Sequence, residues 1–579
     1  MRKLGLISFL LFTVFQLLSG QTLTWQRQMD GYQDLDNYTC TVADQSGNIF
    51  VAGWSKNGST YYWIVAKYDS TGAIKWLNHY SEGTSSSAQP TSCVLSGGYL
   101  FVSGTSKPST YRRILTMKID PSGGSDASGW THGASLSGRQ YPSSNTSPAI
   151  NVDSKAMKVS NSSKVYVAGV AHNSTGSTSD DYAVAYFSSA GAIQDSVIVD
   201  AGAYFGFSNT QDELADLALD NSSNVFVTGG MITSSGSGNG YWATVRYDST
   251  LATEKWAKSY SYVVEYSGAA GQNILVLPSG NIIVWGSYYN SLNYSGGHAS
   301  KYANTDGSVL DTATTASPGT YPADHTQLKK DPTGPYVIAS FTDGLDFDEV
   351  VKFDTSLTSQ WATQTTALFY YTFGMAIDSS GNTWLGGWSD PNGSGTAYYL
   401  FLGEYSSSGS VTWDTAFTTL DHNGSDNGAF YGLTTDGSGG NIYVAGYTTT
   451  SLLTSTANQD FLLCRFSTGS HFGSLTHLVE NHLNETNQPS QYGLRQNYPD
   501  PFNPSTKISY KVPSGDAITL KVYDVTGREV RTLIEGQYVD SGEHVVSFDA
   551  TGLSSGTYFY RLRSKSGKFE DVRKMMFIK

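Results

Sequence analysis

Short apolar runs bounded by Gly, Asn, Asp and Ser recur along most of the chain. The first reads Ser46-Gly47-Asn48-Ile49-Phe50-Val51-Ala52-Gly53-Trp54, followed by Tyr62-Trp63-Ile64-Val65-Ala66-Lys67-Tyr68-Asp69. The next pair is Gly98-Tyr99-Leu100-Phe101-Val102-Ser103-Gly104 and Arg113-Ile114-Leu115-Thr116-Met117-Lys118-Ile119-Asp120. Aligning Gly53, Gly104, Gly169, Gly229, Gly286, Ser340, Gly387 and Gly446 gives eight copies, spaced by 51, 65, 60, 57, 54, 47 and 59 residues. Such a period marks a repeat architecture.

Each copy parses into four short strands. In the first copy these are Tyr38 to Ala43, Ile49 to Trp54, Tyr62 to Tyr68 and Ile74 to Leu77. The turn Asp44-Gln45-Ser46-Gly47-Asn48 lets an Asp accept a backbone N–H while Gly or Asn takes positive φ. The second and third strands are nearly continuous apolar runs, which predicts burial on both faces. Four-stranded sheets stacked face to face around an axis provide that burial, so the predicted fold is an all-β propeller. A Trp follows the second turn in several copies, as Trp76, Trp256, Trp361 and Trp413.

The eighth copy lacks a Trp-bearing fourth strand, whereas Leu23-Thr24-Trp25-Gln26-Arg27 resembles a fourth strand placed ahead of the first copy. Pairing the two closes the ring and removes an open edge. Eight blades follow. The sixth copy is degenerate, with Gly334-Pro335 in its turn and Ser340 for the glycine, and leaves seven blades as the alternative.

These repeats resemble the β-propeller repeats of bacterial secreted proteins known as SBBP. The matching pattern is Gly-Asn-aromatic-Val-x-Gly, then Ala-x-Lys-aromatic-Asp, carried by Gly47 to Gly53 and Val65 to Asp69. The resemblance implies a fold over about residues 22 to 470 and transfers no activity.

Alternation changes after Gly469. A polar linker, residues 471–491, leads to strands at Ile508-Ser509-Tyr510-Lys511-Val512, Ile518 to Tyr523, Val545 to Phe548 and Tyr558 to Leu562. These predict a small Ig-like antiparallel sandwich over residues 492–579. The segment resembles the type A C-terminal sorting domain of type IX secretion cargo in the Bacteroidetes. Matching residues are Asn497-Tyr498-Pro499-Asp500-Pro501-Phe502-Asn503-Pro504, with Asp500 for the usual Asn, and Val522 to Gly527-Arg528. Gly552 to Gly556-Thr557-Tyr558 and the ending Lys574 to Lys579 complete the match. The resemblance implies passage across the outer membrane by the type IX machinery, with surface attachment or release.

The start fits that destination. Arg2 and Lys3 precede an apolar run from Leu4 to Leu18 and then Ser19-Gly20-Gln21, the layout of a secretory signal peptide over residues 1–20. The run is short of the ~20 residues a spanning helix needs, and no transmembrane segment is expected elsewhere. The propeller then occupies residues 21–470.

Charge narrows the partners. The net charge is −14, and it is concentrated ahead of Tyr492, because the segment from there onward holds 13 Lys and Arg against 10 Asp and Glu. An acidic body disfavours nucleic acid, whose binding rests on neutralising phosphates. Three cysteines, Cys40, Cys93 and Cys464, are too few for a disulfide framework and read as small apolar residues.

No Gly-x-Ser-x-Gly elbow, phosphate loop or HExxH helix is present. His477-Leu478-Val479-Glu480-Asn481-His482 matches no standard zinc spacing. Asp421-His422-Asn423-Gly424-Ser425-Asp426-Asn427-Gly428 is rich in the oxygen donors that Ca²⁺ takes, yet it lacks EF-hand spacing and a terminal Glu, and reads as a polar turn. No other cofactor is expected. The acid runs Asp346-Phe347-Asp348-Glu349 and Gln211-Asp212-Glu213 have no assigned role.

One pattern suggests binding. The residues after the aligned glycines include Phe341, Trp388, Tyr447 and Trp54, which fall on copies six, seven, eight and one and so are consecutive around a closed ring. Aromatics on the loop-bearing face can stack sugar rings or grip a peptide, or they can pack inside their own blades. The expectation is an exported binding protein for a glycan or a protein. The alternative is an extracellular polysaccharide lyase or hydrolase on the same ring.

Overall fold

A computed structural model describes residues 22–29, 35–57, 60–83, 89–107, 112–127, 130, 139–141, 150–173, 180–207, 210–233, 240–261, 273–289, 295–315, 325–342, 348–365, 370–389, 399–417, 428–436, 440–448, 460–467, 492–497, 500–513, 516–539, 542–565, 567 and 569–578. The chain divides into two compact units, Met1–Leu478 and Val479–Lys579.

Among the described residues the first unit contains eight four-stranded antiparallel sheets, and in seven of them sequence neighbours pair in order. Blade 1 runs Leu35–Ala43, Ile49–Asn57, Thr60–Tyr68 and Ile74–Gly83. The innermost strands of blades 2 to 8 are Gln89–Ser96, Ile150–Val159, Thr210–Leu219, Asn273–Val276, His325–Lys330, Tyr370–Ile377 and Gly428–Thr435. Each innermost strand packs on the next, and the eighth packs back on the first. The ring is an eight-bladed propeller. The sixth copy builds a full blade, so the seven-bladed alternative does not stand.

Closure follows the predicted route. Thr22–Met29 pairs antiparallel with Asp460–Ser467, from Thr22 opposite Ser467 to Met29 opposite Phe461, and supplies the outer strand of blade 8. Without it the eighth sheet would end on an open edge.

Burial on both faces of the middle strands holds the blades together. Successive residues of a strand point to opposite faces. Val51 accordingly joins Ala66, Tyr443 and Leu463 on the blade 8 side. Phe50 and Ala52 join Leu100, Val102 and Met117 on the blade 2 side. Cys464 is buried, and Cys40 and Cys93 lie half-buried beside one another between blades 1 and 2 as free thiols.

The aligned glycines have a steric cause. The innermost strand of blade 3 bulges between Ser154 and Ala156, and Asp153's carbonyl oxygen sits 1.9 Å from where a Cβ on Gly169 would be. Gly53, Gly104, Gly229 and Gly446 oppose the same bulge, with Cβ positions 1.9–2.3 Å from a carbonyl oxygen. In blade 6 the innermost strand pairs with no register shift, and there Ser340 stands in place of the glycine.

The fourth-strand tryptophans are clamps between blades. Trp76 donates from Nε1 to the Pro121 carbonyl in blade 2, Trp256 to Asn304 in blade 5 and Trp361 to Ser407 in blade 7. Each indole lies on the turn glycine of the next blade. A Cβ on Gly124, Gly307 or Gly409 would fall 2.6–2.8 Å from the ring. Other side chains also reach across from blade to blade, as Tyr166 to Ser249 and Arg465 to Ser70.

The second unit is a sandwich of a three-stranded sheet, Gly493–Leu494, Ser505–Val512 and Gly542–Asp549, and a four-stranded sheet, Glu529–Val539, Asp516–Asp524, Gly556–Ser564 and Glu570–Phe577. Ile508, Tyr510, Leu520, Val522, Phe548, Tyr560 and Phe577 share one core.

Candidate functional site

Two faces of the ring differ in their chain. On one face the first and second strands join through tight turns in which an Asp carboxylate accepts two backbone amides and an Asn side chain, as Asp44 does from Ser46, Asn48 and the Asn48 amide group. Asp220 and Asp378 repeat this. On the other face run the connections between second and third strands and those between blades. Both candidate clusters lie toward that second face.

Of the aromatic arc, Phe341 is fully buried between blades 5 and 6, 6.3 Å from the Trp285 ring, and offers no surface to a ligand. Trp54, Trp388 and Tyr447 are half-buried. Trp54 lies 5.6 Å from Tyr61, and among the described residues its Nε1 has no hydrogen-bond partner. Tyr447 stacks on Tyr431 at 6.1 Å, and Tyr431 lies 4.7 Å from Phe373. Phe373 and Tyr431 occupy the bulges of the innermost strands of blades 7 and 8. Burial, with Tyr447 beside it, pushes the Tyr431 hydroxyl up to about 12. The alignment on glycines passes over both residues because they sit on the first strand of each repeat, not the second.

The acidic cluster gathers at the seam of blades 3 and 4. His172 bridges Asp153 (Nε2 to Oδ2, 2.9 Å) and Asp180 (Nδ1 to Oδ1, 3.1 Å), and Arg112 also pairs with Asp153. The Asp153 hydrogen bond raises the His172 pKa above its usual range against the effect of burial. Next to them stand Asp181, Asp200 and Asp212. Burial, then Asp200 and Asp180, lift Asp181 to about 6. Burial lifts Asp212 to about 7 despite donors from Thr210, Ala201 and Gly202. Of the other acid run, Glu349 is buried and raised by burial, and among the described residues its Oε2 has no hydrogen-bond partner. Residues 421–427 of the oxygen-rich turn and the His477–His482 pair lie outside the described residues, as do the signal segment, Tyr498, Pro499 and Lys579.

In the second unit the motif around Phe502 is joined to the final strand, and the Gly527–Arg528 turn stands apart from it. Phe502 is buried between Phe548 and Phe577, with ring centroids 5.8 and 5.3 Å away. Its amide donates to Met576 O and its carbonyl accepts from Ile578. Asp500 Oδ1 accepts the Met576 amide, and Gln496 Nε2 donates to Lys574 O. The motif start is thus stitched to the final strand. Pro501, Asn503 and Pro504 are exposed, and Pro504 O accepts from Ala550. Gly527 takes a positive φ of 82° in a turn where Asp524 accepts from Thr526 and pairs with Arg528. Thr526's hydroxyl and the Arg528 contacts hold Asp524 down to about 2. Past Gly556, Tyr558 donates to Ser554 O.

Comparison with known proteins agrees with this tail. Residues 496–578 match the family model of the secretion system C-terminal sorting domain. No curated protein matches the chain. Among solved structures, PorZ, a surface component of the type-IX secretion system of Porphyromonas gingivalis, is 13% identical with a TM-score of 0.33, covering 93% of this chain and 70% of that one. Sqt1 from Chaetomium thermophilum is 13% identical with a TM-score of 0.43, covering 77% of this chain and 98% of that one. An α-L-arabinanase from Penicillium chrysogenum is 11% identical with a TM-score of 0.33, covering 58% of this chain and 98% of that one. These are distant likenesses, and the blade topology stands on strand pairing alone. Among the described residues no helix is long and apolar enough to cross a membrane. The chain is a β-propeller protein with a type IX secretion sorting domain, through which it engages that machinery and is exported to the cell surface or beyond.

Proposed function

We propose that this exported protein binds a glycan or an extracellular protein through the loop-bearing face of its propeller, without turnover. The observation that carries the reading is the aromatic row Phe373–Tyr431–Tyr447 on blades 7 and 8, with half-buried Trp388 and Trp54 at equivalent strand ends of blades 7 and 1. Half-buried rings present flat apolar faces at low entropic cost, which suits sugar rings and peptide side chains. In this reading residues 1–20 direct Sec export, residues 21–470 bind, and residues 471–491 link the propeller to the sorting domain at 492–579.

Screening the full chain on a glycan array, with product analysis of each hit, tests it. Binding without released product is expected, and Trp54→Ala with Trp388→Ala should weaken it at least tenfold while the melting temperature holds. A sharp fall in melting temperature would instead make the two rings packing residues. A second reading, a polysaccharide-active enzyme, is favoured by Asp212 and Asp181, because acid–base catalysis wants groups that titrate near the working pH. Released oligosaccharide would establish it.

A further inference from the structure

We propose that Asp181, Asp200 and Asp212 bind a divalent cation, Ca²⁺ by the hardness of the donors, and that the ion ties blade 3 to blade 4. Asp181 is the second residue of the third strand of blade 3, Asp180–Phe187, and Asp200 follows its fourth strand, Ile193–Val199. Asp212 belongs to the innermost strand of blade 4. The connection between them is a single helical turn, Ala201–Tyr204, capped by Asp200. One carboxylate oxygen from each Asp lies within 4.8 Å of the others. Bonds of about 2.3–2.6 Å from one ion span that separation.

A second observation distinguishes these acids from a solvated patch. Asp212 is fully buried, and its Oδ2 accepts the amides of Ala201 at 2.6 Å and Gly202 at 3.3 Å. Among the described residues its Oδ1 has no hydrogen-bond partner. An orphaned carboxylate oxygen in the interior is expensive, and a cation relieves the cost directly. Among the described residues no Lys or Arg pairs with any of the three, whereas Asp153 close by has both Arg112 and His172 on its Oδ2. Mutual repulsion of three carboxylates across a seam would otherwise push the blades apart. Waters would complete the six to eight oxygens that Ca²⁺ takes. The site is independent of the glycan-binding reading, since it lies on blades 3 and 4, not on the aromatic row.

The test is Ca²⁺ titration of the full chain by calorimetry, with thermal unfolding in CaCl₂ and in chelator. A rise in melting temperature with Ca²⁺ is expected, as for any ligand that binds only the folded state. The Asp181→Asn, Asp200→Asn double variant changes two residues that are not fully buried, so it keeps its fold in chelator. It should lose one equivalent of bound Ca²⁺ and the matching part of the rise. Asp212→Asn should be at least as stable as the parent in chelator and gain nothing from Ca²⁺ at this site, because it removes the charge the ion offsets. No Ca²⁺-dependent rise in the parent, or the same stoichiometry and rise in the double variant, would overturn the proposal.

Discussion

At the scale of single residues, the repeat glycines show how a sequence pattern can be plain while its cause is hidden. Eight aligned positions were legible because the spacing recurs. The bulge opposite Gly53, Gly104, Gly169, Gly229 and Gly446 was not, since an extra residue in a neighbouring strand leaves no mark in local composition. Ser340 breaks the pattern, and its partner strand pairs without a bulge. Gly169→Ala should therefore destabilise by roughly 2–4 kcal/mol, as overpacking against a backbone that cannot yield. Ser340→Ala should cost under about 1 kcal/mol, having no carbonyl to meet. Urea unfolding of both variants decides it, and equal losses would remove the bulge as the reason. His298 provides a pH test at the same scale. It is buried, stacked on Tyr260 at 4.0 Å and hydrogen-bonded to Thr314 and Ser300, and burial lowers its pKa to about 4. The unfolded chain takes up the proton from about pH 6.5 and the folded chain only near 4, so stability falls as pH drops through that window. The loss approaches ~3 kcal/mol. Unfolding curves at pH 7 and 4.5 should show it, and His298→Gln should reduce the difference.

At the scale of elements, strands and turns were legible because two-residue periodicity and Asp-to-Asn turn chemistry act locally. Contacts between blades are non-local, and there the reading stopped early. The fourth-strand tryptophans were visible as a recurrence, but not as donors to the next blade's turn. The aromatic row was missed at Phe373 and Tyr431, and the acid cluster was seen only in Asp212, because Asp181 and Asp200 come from separate strands. The clamp has a quantitative consequence. Trp256→Phe removes the Nε1 bond to Asn304 O but keeps much of the ring on Gly307, so a loss of about 1–2 kcal/mol is expected. Gly307→Ala combines a φ of +66° with a Cβ 2.7 Å from the indole, and should cost more. If the ranking is reversed in denaturant melts, the hydrogen bond and not the close approach dominates the clamp.

At the scale of the whole molecule, closure and export each depend on chain segments far apart in sequence. Thr22–Met29 covers the outer edge of Asp460–Ser467, so deleting residues 22–29 should broaden thermal unfolding and promote association through the bared strand. A sharp, unshifted transition in the truncated chain would mean the ring does not need that strand. The sorting tail poses the sharper question, whether the secretion machinery reads a linear motif or a folded surface. Phe502 fills the space between Phe548 and Phe577, and its neighbours Asp500 and Gln496 hold the final strand. Phe502→Ala should cost the sandwich ~3–5 kcal/mol, a large share of what a domain of this size has. Arg528→Ala lies on an exposed turn, where losing the solvent-screened pair with Asp524 should leave the stability of the sandwich nearly unchanged. Surface display of the two variants separates the cases. Export lost with Phe502→Ala alone means the fold of the tail is what is recognised. Export lost with Arg528→Ala alone places recognition on the exposed turn, because that change leaves the buried joint between the motif and the final strand untouched.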